Sequence, residues 1–128
     1  MSEMSNYLEN ALINVTLRGT AYTAPTTVYV GLYTTDPTDA NTGTEVSGGS
    51  YARVAATFGA PSDGVSTNNA AVEFPVCTSS WGTVTHMGIL DALTSGNLLY
   101  HTPLTTSKSV VSGDTLKFAV AGISVTLA

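Results

Sequence analysis

The sequence predicts an all-β protein: an antiparallel, jelly-roll-like β-sandwich carrying one N-terminal α-helix. Three observations lead to that class. Runs with strand-like alternation recur at about 8–12-residue spacing, separated by Gly, Asp, Ser and Pro, which is the rhythm of a sandwich or barrel. Strands never alternate with helices of crossover length, so a parallel sheet is excluded. Helical periodicity appears in one segment near the N-terminus. At 128 residues the chain is long enough to bury a proper core as one domain, and we divide it into a helix at 1–19 and a sandwich at 20–128.

The helix is expected from Met4 to Leu17, where Tyr7, Leu8, Ala11, Leu12 and Val15 form one apolar stripe. Ser5 or Asn6 can cap it, Asn6 and Glu9 have capping-box spacing, and Arg18 with Gly19 suits its end. Thr26 to Thr34 alternates cleanly, with Val28, Val30 and Leu32 on one face. Residues 35–50 lack apolar periodicity and read as a long polar loop, a candidate contact surface. Within it, Ser47-Gly48-Gly49-Ser50 reads as flexible. Ser50 to Phe58 and Ala70 to Val76 read as strands, the second with Pro75 at its exit, and residues 59–69 as a turn-rich connection. Trp81 to Asp91 is the longest segment with strand character. Both of its faces are semi-apolar, so it is expected at the centre of the sheet, and Gly82 and Gly88 suggest a bend or a close backbone approach. Leu98 to Thr102 reads as a short strand stopped by Pro103. Ser107 to Ser112 and Thr115 to Ala121 flank a turn, and Gly122 to Leu127 closes the sandwich.

Composition limits what the protein can do. Charged residues make up 10% of the chain, against about a quarter in an average soluble domain. A surface of small hydroxyls suits a protein held among neighbours in an assembly; a secreted β-domain shares the same bias. The net charge is −5, and the four basic residues, Arg18, Arg53, Lys108 and Lys117, are scattered. Nucleic acid and anionic membrane surfaces are therefore not expected partners. Cys77 is the one cysteine, so no intrachain disulfide forms, and its apolar setting predicts a buried thiol. The N-terminus lacks the basic and apolar regions of a signal peptide, which predicts synthesis and retention in a cytoplasm.

Chemistry leaves few traces. His86 and His101, with Asp91, could in principle bind a metal, but two histidines without a third ligand at fixed spacing read as ordinary half-buried strand residues. No nucleophile elbow is present. Asp36, Asp39, Glu45 and Asp63 lie in loops without a calcium-loop pattern. The expectation is a protein that is not an enzyme and needs no cofactor or metal. Tyrosines and Trp81 fall mostly on strands, where packing is the default and a carbohydrate or protein contact the alternative.

Several stretches together resemble a known family. They are Ser5-Asn6-Tyr7-Leu8-Glu9, Thr23-Ala24-Pro25, Tyr29-Val30-Gly31-Leu32 and Thr35-Asp36-Pro37-Thr38-Asp39. Ser50-Tyr51-Ala52-Arg53-Val54, Val72-Glu73-Phe74-Pro75, Ser80 to His86, Gly88-Ile89 and Asp91-Ala92 continue the pattern, and Leu104 to Lys108 and Ser112-Gly113-Asp114 complete it. In this order they resemble small virion structural proteins of tailed bacteriophages, often labelled tail-fibre-like. The resemblance implies a virion location after synthesis in the host cytoplasm, other virion proteins as partners, and a homo-oligomer, with a trimer favoured. The chain has no heptads and no shaft repeat, so a capsid decoration, or cement, role is the expected function. A tail-fibre or tail-tip component binding a host-surface glycan or receptor is the alternative. The expected contact residues are Tyr7, Leu8 and Leu12 of the helix and Asp36, Asp39 and Glu45 of the long loop.

Overall fold

The computed structural model describes residues 2–127. Its centre is a five-stranded antiparallel sheet in the order β1-β7-β6-β2-β3, formed by β1 (Glu3–Met4), β7 (Leu98–Val110), β6 (Gly82–Leu90), β2 (Val28–Tyr33) and β3 (Val54–Ala56). Two short antiparallel ribbons accompany it. One pairs β4 (Val65–Thr67) with β9 (Ser124–Thr126); the other pairs β5 (Val72–Glu73) with β8 (Lys117–Phe118).

β6 holds the central position that its two semi-apolar faces predict. On one face, Val30, Leu32, Val84, Met87, Ile89 and, at the end of β7, Val110 pack with Val72, Phe74, Cys77, Trp81 and Ile123 from the ribbons and their connections. Tyr51 joins Phe74 in a stacked pair at 6.2 Å and Trp81 edge-on at 5.5 Å. The aromatic residues at this centre are thus core. Cys77 is buried, as expected.

Strict alternation separates Val84 from Met87 and Ile89, yet all three reach the same cluster. The β6–β7 ladder is irregular at that point, with Val84 opposite Lys108 and His86 already opposite Pro103. The irregularity also corrects the expectation that Pro103 stops its strand. β7 runs 13 residues straight through it. A proline donates no ladder hydrogen bond, and here it lies where the ladder is already interrupted. The stretch from Ser107 is accordingly the end of β7.

The other face of the sheet carries α1 (Asn6–Leu17) and the segment after β2. Ser5 is the N-cap; its Oγ accepts from the Leu8 N–H at 3.2 Å and donates to the Leu98 carbonyl. Asn6 is therefore the first helical residue, and the Asn6–Glu9 capping box does not form. Gly19, at φ 66°, lets Thr20 N–H return to the Asn14 carbonyl. Met4, expected in the helix, pairs instead with Tyr100 in the sheet.

The jelly-roll expectation is corrected. The strands divide into one sheet of five and two ribbons of two, not into two sheets of similar size. β3, β4, β5, β8 and β9 are each only two or three residues long. Their stretches, rich in Thr, Ser and Gly, supply too few alternating apolar residues to build a second full layer. β4, inside the stretch read as a connection, is an additional strand.

Candidate functional site

Pairing across the sheet lines up one row: Glu3 opposite His101, His101 opposite Gly88, and Gly88 opposite Gly31. Directly opposed residues share a face, so these four point to the helix-bearing side. Two residues along β6, His86 opposes Tyr33 on the same face. The two glycines clear the surface. A Cβ at Gly88 would meet Leu98 at 2.7 Å and Tyr33 at 3.0 Å; one at Gly31 would meet Glu45 at 3.0 Å. The loop after β2 can therefore lie down on the sheet. It is tied there by hydrogen bonds from Thr34 N–H to the Thr44 carbonyl and from Val46 N–H to the Leu32 carbonyl, and its Asp39 carbonyl accepts from Asn6 N–H.

This arrangement brings Asp36 and Asp39 onto the histidines. His101 is 3% exposed, and its Nε2 lies 2.8 Å from Asp39 Oδ1 and 3.9 Å from Glu3 Oε2. Its Nδ1 is 3.9 Å from Asp36 Oδ1, and the same oxygen is 4.0 Å from His86 Nε2. Thr38 N–H donates to Asp36 Oδ1, and Thr85 Oγ1 is hydrogen-bonded to His86 Nδ1. Asp91, the acid the sequence offers to these histidines, is elsewhere. It closes its own turn by accepting from Asn97 N–H at 2.7 Å and from the Asn97 amide at 3.0 Å. Sequence reasoning thus named both histidines and both loop acids but did not join them. Asp39 and His101 stand 62 positions apart, and only the pairing register places them together.

The other expected contact residues divide between inside and outside. Leu8 is buried in its own fold and Leu12 is half-buried, whereas Tyr7 is exposed. Glu45 is occupied internally. Arg53 grips it through two parallel bonds of 2.8 and 2.9 Å, and the Tyr51 hydroxyl donates to it at 2.6 Å. The remaining Arg53 nitrogen donates to the Ala92 and Ser95 carbonyls. This network fastens the loop to the turn after β6. Burial, and then the hydrogen bond to Glu45, push the Tyr51 phenol well above its ordinary range.

Two further surfaces flank the cluster. Tyr22, half-buried, has its phenol shifted upward by burial first and then by Tyr7, Asp91 and Tyr100. Tyr7 of α1 and Asp91 of the turn after β6 are thus near enough to Tyr22 to be felt by its phenol. On the opposite side, an open apolar groove of about 490 Å³ runs past Val28, Ala56, Phe58, Ile89, Leu99 and Tyr100, without a carboxylate or imidazole in its lining.

Comparison with known families places this β-scaffold in the class of structural proteins of a phage virion. Within that class the chain belongs to the family described as podophage GP4 fiber I protein gp80, which matches residues 3–126. The resemblance to tail-fibre-like phage proteins is borne out over nearly the whole chain. No curated protein matches it closely.

Proposed function

We propose that this chain is a subunit of a phage tail fibre, associated with other virion proteins, and that it acts by binding a host-surface glycan or receptor rather than by catalysis. The observation that carries the reading is the fibre-family match over residues 3–126. The same match favours the fibre over capsid decoration, the function first expected from small size and low charge.

The structure offers surfaces suited to both tasks. The outer side of α1 presents Ile13, 54% exposed, and Leu17, 80% exposed, one turn apart, an apolar pair for a neighbouring virion subunit or a further copy of the chain in a trimer. Tyr7, exposed on α1, and Tyr22, half-buried in the segment after it, offer aromatic faces of the kind that take up a sugar ring. The central aromatic residues are not available for this, since Trp81 is 4% exposed.

The purified protein should bind host-surface glycans on an array and compete with phage adsorption. Tyr7→Ala and Tyr22→Ala should each weaken binding about tenfold or more, the loss of a stacking contact of roughly 1–2 kcal/mol, with the melting temperature of Tyr7→Ala unchanged. Undiminished binding in both variants would remove the tyrosine surface from the account. Failure of the wild-type protein to bind cells or glycans would remove the host contact altogether.

A further inference from the structure

We infer that Glu3, Asp39 and His101 form a binding site for one divalent first-row transition-metal ion such as Zn²⁺, with Asp36 as an outer partner. The inference is independent of the fibre reading. One ligand atom from each of the three residues lies within 4.8 Å of the other two. His101 Nε2 stands 2.8 Å from Asp39 Oδ1 and 3.9 Å from Glu3 Oε2. Ligand atoms held about 2.0–2.1 Å from a shared ion stand roughly 2.9–3.4 Å from one another, so small side-chain rotations bring all three into contact with it. One imidazole and two carboxylates is a donor set suited to zinc and its neighbours more than to calcium.

Two observations beyond the spacing point to a cation. The first is charge. Glu3, Asp36 and Asp39 gather around two histidines, and no Lys or Arg among the described residues forms an ion pair with any of them; Arg53 is committed to Glu45. Three carboxylates brought together without a fixed cation repel one another, and a bound metal offsets that repulsion. The second is the setting of His101. Its ring is 3% exposed, anchored on β7, with Asp39 2.8 Å from Nε2 and Asp36 3.9 Å from Nδ1. Coordination through Nε2 leaves Nδ1 facing Asp36 Oδ1 at 3.9 Å, from where a small rotation of the exposed Asp36 side chain would supply the outer-shell hydrogen bond that fixes a ligating histidine. Glu3 and Asp39 are 69% and 47% exposed, so the remaining coordination positions open to water or to a partner's ligand. The ion would tie β1, the long loop and β7 together.

Calorimetric titration of the EDTA-treated protein with ZnCl₂ should show one saturable site, accompanied by a rise in melting temperature and a shift of the His101 ring nitrogen signals. Asp39→Asn and Glu3→Gln should each weaken binding at least tenfold while keeping the fold, since both side chains are largely exposed. Glu73→Gln, on β5, should bind as the wild type does. Absence of saturable binding, or undiminished affinity in both Asp39→Asn and Glu3→Gln, would overturn the site.

Discussion

At the scale of single residues, small and aromatic side chains carry the most consequence. Gly49 sits at φ 57°, and a Cβ there would lie 2.2 Å from the Ser79 carbonyl oxygen and 2.7 Å from Trp81 Nε1, the atom that donates to Gly49's own carbonyl at 2.9 Å. Within the stretch read as a flexible loop, Gly49 is thus packed against Ser79 and Trp81, while Ser47, Gly48 and Ser50 are exposed; a glycine signals a close backbone approach as readily as mobility. Gly49→Ala should cost about 2–4 kcal/mol through strain and overlap, measured by chemical denaturation. Titration gives a second expectation. Burial first, and Glu45 next, raise the Tyr33 phenol from 10.0 to about 12. The unfolded chain releases this proton near its ordinary pKa while the folded protein keeps it, so stability from Tyr33 is complete below about pH 10 and is lost as pH rises towards about 12. The denaturation midpoint should fall across that window, and less steeply in Tyr33→Phe. The acid–histidine cluster belongs to this scale too. Its members were all visible as residue types, but nothing local in the sequence relates position 39 to position 101.

At the scale of elements, what could be read followed from how many consecutive residues obey one period. β2 alternates over a long run, β6 is a long run with two semi-apolar faces, and both appear where expected; α1 has its stripe, its Ser5 cap and its Gly19 stop. β4 was hidden because Val65-Ser66-Thr67 contains one apolar residue, too few for a period to show. β7 was misread at Pro103 because the cost of a proline depends on whether the ladder needs its N–H, and that is set by the partner strand. The same dependence on partners separates one sheet with two ribbons from the jelly roll that strand spacing alone suggests. The junction of helix and sheet is a test at this scale. Ser5 is buried, accepts from Leu8 N–H and donates to the Leu98 carbonyl. Ser5→Ala should cost about 1–3 kcal/mol, from the lost cap and the buried carbonyl left without its partner, and should raise hydrogen exchange in α1 before the central strands.

At the scale of the whole molecule, the protein is a stiff sheet with one side packed by ribbons and the other covered by a helix and a pinned loop. Its accessible surface is 6951 Å², somewhat above the roughly 6,400 Å² expected for a compact monomer of its mass. Exposed apolar residues are spread over the helix and the turns, including Ile13, Leu17, Leu93 and Val120. Such a surface, with few charges to keep it apart from neighbours, suits incorporation into an assembly. The family match supports a phage virion as that assembly, and the low charge that first suggested a capsid surface suits the proposed fibre equally well. Composition argues against a nucleic-acid or anionic-membrane binder, but it does not separate one virion location from another. The most direct measurement is therefore the position and copy number of the protein on purified phage, by cryo-electron microscopy of particles carrying a labelled chain together with quantified virion protein. The account predicts label confined to the tail apparatus, at a copy number matching other fibre components. Label distributed over the capsid lattice, in numbers matching its capsomer junctions, would contradict it.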